Sequence, residues 1–196
     1  MKTLTTANQL TLLRMLLIPA FVILLVYEHE GWALGIFALA GVTDGLDGWF
    51  ARRGQQTSLG AFLDPMADKL LLVTTFIVLT IPGIGLANRI PLWLTILVIS
   101  RDVVIVLTVA IVTVAVGRRQ FRPSIYGKAA TAIYIITCVV VMFFNFLERA
   151  SRLVTVCVYL SLAITLVSGI HYIVHVARTI NQPQTAVASR PGRLRA

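Results

Sequence analysis

The chain predicts an all-α polytopic membrane protein with six transmembrane helices and both termini in the cytoplasm. Three observations carry this: a mean hydropathy of +0.87 with only 13% charged residues, six apolar runs each close to a bilayer in length, and no strand-like alternation inside them. A surface so poor in charge cannot be covered by water. Runs of ~20 apolar residues match a helix crossing ~30 Å of hydrocarbon. Helices also satisfy their own backbone hydrogen bonds where lipid offers no partner, which disfavours a β-barrel here.

The first run, about residues 9–27, lacks a small-residue cleavage site, carries Arg14 and Pro19, and continues to Tyr27, so it reads as a mature span and not a signal peptide. The second, about 32–51, begins with Trp32 at the outer boundary; Gly31, Gly35, Gly41 and Gly45 are spaced as small residues for close helix packing. The third, about 60–81, follows after a short connection, so the two helices are antiparallel neighbours. The fourth, about 91–116, starts near Trp93 and contains Arg101 and Asp102. The fifth and sixth, about 125–147 and 153–177, each hold one cysteine, Cys138 and Cys157, without metal-ligand spacing; both read as structural. Tyr126 marks the inner boundary of the fifth, and His171 and His175 of the sixth read as polar interface residues for want of a third ligand. Beyond Thr179 the chain has too few apolar residues to pack, so 181–196 is expected to be a disordered basic tail on a single transmembrane domain, 1–180.

Lys and Arg collect on the cytoplasmic side of short loops. With the amino terminus inside, every basic residue except Arg89, Arg149 and Arg152 outside, and Lys69 and Arg101 within spans, falls at or near the cytoplasmic face. The net charge of +9 then favours anionic headgroups and phosphorylated substrates at that surface. Nucleic acid is not an expected partner, because these residues are dispersed at helix ends. No mitochondrial presequence precedes the first run, so the expected location is the inner membrane of a bacterial cell.

Glu28, Glu30 and Glu148 occupy outer loops, whereas Asp44, Asp47, Asp64, Asp68 and Asp102 all lie inside spans. A carboxylate near the middle of an inserted helix costs about 2.5 to 3.5 kcal/mol, so a cluster of four needs compensating cations and a function. Asp44, Asp47, Gly48, Ala51 and Arg52 share one face of the second span; Gly60, Asp64 and Asp68 share a face of the third. Two carboxylate pairs can therefore face each other across a cleft opening to the cytoplasm. Such a set is held together by divalent cations, and hard oxygen ligands without histidine or cysteine suit magnesium, manganese or calcium better than zinc. Gly48 and Ala51 leave room for a ligand against the backbone, and Arg52 adds a phosphate-binding charge at the mouth.

The string Asp44-Gly-Leu-Asp47-Gly48-Trp-Phe-Ala51-Arg52, with Gly60-Ala-Phe-Leu-Asp64-Pro-Met-Ala-Asp68, resembles the signature of the CDP-alcohol phosphatidyltransferases at all eight fixed positions. That resemblance implies transfer of a phosphatidyl or related group from a CDP-linked donor to an alcohol, releasing CMP, and a homodimer in the bilayer. It also implies that Asp44, Asp47 and Asp64 ligate two divalent cations gripping the donor pyrophosphate. Asp68 becomes the general base, in reach of a metal, and Gly48, Ala51, Arg52 and Gly60 line the cytidine and phosphate pocket.

Thr6 to Arg14, Gly60 to Lys69, and Ile99 to Asp102 look like the branch that uses CDP-diacylglycerol and glycerol 3-phosphate. Ser100-Arg101-Asp102-Val103 and Arg122 to Lys128 are also similar to the branch whose acceptor is phosphatidylglycerol. An acceptor phosphate needs cations besides the metals, and Arg101, Arg118, Arg122 and Lys128 are the candidates. Arg101 and Asp102, ~100° apart on one helix, are not expected to face each other. Asn8, Thr11 and Arg14 are placed either to fix a phosphate at the entrance or to anchor the first helix among the headgroups. A cation transporter using the intramembrane aspartates is the rival from another class, and it leaves Gly48, Ala51 and Arg52 in register unexplained.

Overall fold

The structure is a computed structural model that describes residues 6–50, 58–116 and 125–180. Its elements are α1 (Thr6–Val26), α2 (Glu30–Phe50), α3 (Ser58–Val78), α4 (Leu92–Val116), α5 (Ile125–Phe146) and α6 (Arg152–Ile180), with no strand among the described residues. The helices fall on the six apolar runs. Among the described residues, Ile125–Phe146 and Arg152–Val174 are long and apolar enough to cross a membrane, and α1 has a shorter apolar stretch, Thr11–Val26. The expected tail, 181–196, lies outside the described residues.

Helix α1 packs against both α2 and α3, α5 pairs with α6, and α5 also touches α2 and α3, while α4 leans mainly on α6. Among the described residues, α2 and α3 are joined chiefly through α1, which packs on both. Rings fill the centre: Phe21 lies against Phe37 with centroids 5.9 Å apart, and Phe76 meets Tyr134 edge-on at 5.7 Å. Burial of apolar side chains gives little net drive between helices already in lipid, so hydroxyl contacts matter more. Thr137 and Ser161 share a hydrogen bond of 2.8 Å, Tyr134 and Thr165 one of 2.7 Å, and the Tyr172 hydroxyl donates to the Ile105 carbonyl at 3.2 Å.

Gly31 carries out the packing role its spacing suggests, since a Cβ there would come within 2.8 Å of the Phe146 ring. At Gly35 and Gly41, by contrast, nothing among the described residues lies within 4 Å of a Cβ built on either. Cys138 is buried and Cys157 half-buried, and both are free thiols.

The C-terminal ends of α1 and α5 close in the same way. His29 N–H donates to Leu24 O and Glu28 N–H to Leu25 O; Arg149 N–H donates to Phe144 O and Glu148 N–H to Asn145 O. These paired bonds satisfy the last helical carbonyls and require a left-handed residue, normally glycine. Here the residues are Glu28 at φ 62° and Glu148 at φ 50°. The loop after α3 is clasped to this second turn by Asn88 and Asn145. Asn88 donates its backbone N–H to Asn145 Oδ1 at 2.7 Å and its Nδ2 to Arg149 O at 2.7 Å, while Asn145 Nδ2 donates to Asn88 O at 3.1 Å.

Candidate active site

Both halves of the acidic motif are helical. Asp44, Asp47 and Gly48 lie in the last turns of α2, and Gly60, Asp64 and Asp68 in the first half of α3. The side chains of Asp47 and Asp64 lie outside the described set, as do Ala51, Arg52, Arg118 and Arg122 altogether.

Asp44 and Asp68 are brought together by a third helix. Arg14 Nη2 of α1 lies 3.1 Å from Asp44 Oδ1, and Arg14 Nη1 donates to Asp68 Oδ1. The guanidinium is fully enclosed at 0% exposure, whereas the two carboxylates are 49% and 39% exposed. Arg14 is therefore enclosed within the bundle, and the two acids it joins keep exposed surface. This corrects the expectation that Thr11 and Arg14 sit at the entrance or among headgroups: both are fully buried. An arginine within an apolar run is costly unless paired, and that rule, applied to Arg14 as to Arg101, was the available signal.

On its other side Asp68 borders a small cavity of about 50 Å³ between α3, α4 and α5, lined also by Lys69, Asp102, Thr131 and Tyr134. Asp102 Oδ2 lies 3.0 Å from Lys69 Nζ, and Asp102 Oδ1 accepts from Arg101 Nη1 at 2.7 Å. The second contact overturns the expectation that Arg101 and Asp102 cannot meet. Their Cα–Cβ directions diverge, but the arginine stem is long enough to fold back along the helix. Two cations thus share one carboxylate, leaving net positive charge beside Asp68. Lys128, the other acceptor candidate among the described residues, is exposed in the first turn of α5.

A wider cleft of about 790 Å³ opens at the opposite end, lined by Glu28, His29, Glu30 and Glu148. It holds none of the motif residues, so size does not identify the site. Burial, followed by the charges of Glu148 and Glu28, pushes the Glu30 carboxyl above its ordinary range. His171 of α6 lies against Tyr126, ring centroids 4.5 Å apart, in keeping with an interface role.

The motif acids fit a divalent cation by donor chemistry: two carboxylates from separate helices converge on one guanidinium, with oxygen donors only. Among the described residues no three potential ligands form a complete metal site. The pair shown is half of the expected set of four.

Comparison with known proteins agrees. The CDP-alcohol phosphatidyltransferase family profile matches residues 4–180. A protein named probable phosphatidylglycerophosphate synthase from Mycobacterium tuberculosis is 33% identical over 185 residues, covering 89% of this chain and 82% of that protein. Human cardiolipin synthase (CMP-forming) is 36% identical over 149 residues, 67% of this chain and 48% of that one. The Streptomyces coelicolor cardiolipin synthase is 37% identical over 140 residues, 66% of this chain and 61% of its own. A match spanning nearly all six helices, together with acids converging where the motif requires, leaves no place for the transporter reading: the chain belongs to the CDP-alcohol phosphatidyltransferase family of phospholipid-synthesising enzymes.

Proposed function

We propose that this enzyme transfers the phosphatidyl group of CDP-diacylglycerol to glycerol 3-phosphate, releasing CMP, and that it works as a homodimer of six-span subunits in a bacterial inner membrane with its site facing the cytoplasm. The observation that carries the reaction class is the convergence of Asp44 and Asp68 from the two motif helices. The acceptor rests on similarity to the phosphatidylglycerophosphate synthase, which extends over most of both chains. The apolar exterior, with Leu16, Ile111 and Ile173 each well over half exposed, supports the bilayer placement.

Asp44, Asp47 and Asp64 would hold two magnesium or manganese ions, with Asp68 in reach of one. Bound there, such ions supply charge stabilisation on the transferring phosphoryl group and on departing CMP. Gly48, Ala51, Arg52 and Gly60 would border the cytidine and phosphates. Asp68 accepts the proton of the acceptor hydroxyl as its oxygen attacks phosphorus, and the bond from phosphorus to the CMP oxygen breaks. The acceptor phosphate is drawn by the positive excess of Lys69, Arg101 and Asp102, with Arg118, Arg122 and Lys128 as further cations. Phe76, Val98 and Tyr134 line the apolar side of the small cavity beside Asp68.

A second reading, cardiolipin synthesis with phosphatidylglycerol as acceptor, is favoured by the higher identity to cardiolipin synthases over two thirds of the chain. An acceptor panel of glycerol 3-phosphate, phosphatidylglycerol, inositol phosphate and serine, assayed for CMP with magnesium or manganese, separates the two. Turnover with glycerol 3-phosphate alone supports the first; turnover with phosphatidylglycerol alone replaces it.

A further inference from the structure

We infer that Arg14 is a positioning residue of the transfer reaction: a resident counter-cation that holds Asp44 of α2 and Asp68 of α3 in register before a divalent ion binds. The inference rests on the functional reading above and adds to it a residue outside the family signature.

The geometry is that of a spacer. Different nitrogens of one rigid plane serve the two acids, Nη2 toward Asp44 Oδ1 and Nη1 toward Asp68 Oδ1, so the guanidinium sets the separation of those oxygens. A lysine ammonium, a point charge on a flexible stem, has no such fork. Arg14 approaches from beneath, fully enclosed, while 49% and 39% of the two carboxylate side chains remain open. Both acids thus retain exposed surface that ions and substrate can reach.

Its platform is firm. Thr11, one turn before Arg14, is fully buried, and two turns after it Phe21 stacks on Phe37 of α2. Because α1 packs on both α2 and α3, the helix that carries the cation also joins the two that carry the acids. Enclosing a charge is costly unless it is paired, so α1 and the acidic pair hold each other in place. Without Arg14 the two acids lose the cation they share, and a divalent ion bound to them restores positive charge at that place.

A merely structural ion pair would stabilise the protein equally with and without metal and leave turnover alone. The test uses the purified full chain in detergent, as wild type, Arg14→Gln and Arg14→Lys. Thermal unfolding is followed with and without magnesium, and CMP release is measured over a range of CDP-diacylglycerol. Magnesium is expected to raise the Tm of Arg14→Gln by more degrees than that of wild type. Arg14→Gln should lose about 100-fold in kcat, as a misplaced reacting group does, with KM for the donor changed less than about threefold. Arg14→Lys should recover the wild-type Tm but not kcat, and it carries the test if Arg14→Gln does not fold. Wild-type kcat in Arg14→Lys, or equal magnesium-induced shifts in Arg14→Gln and wild type, would overturn the inference. Failure of the functional reading looks different: wild-type protein itself would then show neither a magnesium shift nor CMP release with any acceptor.

Discussion

Lys69 of α3 reaches across to Asp102 of α4, its Nζ 3.0 Å from Oδ2, and meets there the Arg101 guanidinium already bound to Oδ1. One carboxylate therefore balances two cations in the wall behind the candidate base. Asp102→Asn removes that balance. Breaking a buried pair costs about 3–5 kcal/mol, and because Lys69 is half-exposed the expected loss is smaller, about 1–2 kcal/mol. Thermal unfolding of Asp102→Asn measures it, and adding Lys69→Met should restore part of the loss, since it withdraws one of the stranded charges.

The Asn88–Asn145 clasp ties the α3–α4 loop to the α5–α6 turn through bonds at 2.7, 3.2 and 3.1 Å. Asn145→Ala leaves the buried Asn88 N–H without its acceptor, which costs about 1–3 kcal/mol. Hydrogen exchange at the Asn88 amide should accelerate accordingly, with turnover little changed, since the clasp lies at the far end of the bundle from Asp68.

Glu148 occupies a left-handed position that a side chain resists, at a cost of roughly 1–2 kcal/mol. Glu148→Gly should therefore stabilise the fold by about 1 kcal/mol, read as a higher unfolding midpoint. A lower midpoint would show that the carboxylate supplies more than the backbone costs.

The pH dependence at the end of the bundle that holds Glu28 and Glu148 follows from Glu30. Its carboxyl is raised above the ordinary 4.5 by burial, then by Glu148 and Glu28. Between 4.5 and the raised value the folded chain binds more protons than the unfolded one, so stability falls as pH rises through that window. The penalty is fully present above that window. Glu30→Gln is expected to raise Tm at pH 7.5 and to lose that advantage near pH 4.

Much of the architecture is legible in the order of residues. Six long apolar runs leave a chain in lipid little choice but six helices, and the i, i+3 and i+4 spacing places Asp44 with Asp47 and Asp64 with Asp68 on common faces. Contacts between distant helices are not encoded in spacing. Arg14 lies 54 positions from Asp68 and Asn88 lies 57 from Asn145, so neither pairing has a local signature. The Arg101–Asp102 bond is hidden from spacing for another reason: helical angle describes where a side chain starts, not where a long one ends. Gly35 and Gly41 show the converse, since small residues at packing intervals find no close neighbour among the described residues.

The central claim, that acids of α2 and α3 act with divalent ions to move a phosphatidyl group, is tested most directly by CMP release from CDP-diacylglycerol and glycerol 3-phosphate as magnesium is titrated into wild type and Asp68→Asn. The expected result is release that rises with magnesium in wild type and is abolished in Asp68→Asn, with calorimetric donor binding retained by the variant. Release at full rate in chelator, or by Asp68→Asn, would contradict it.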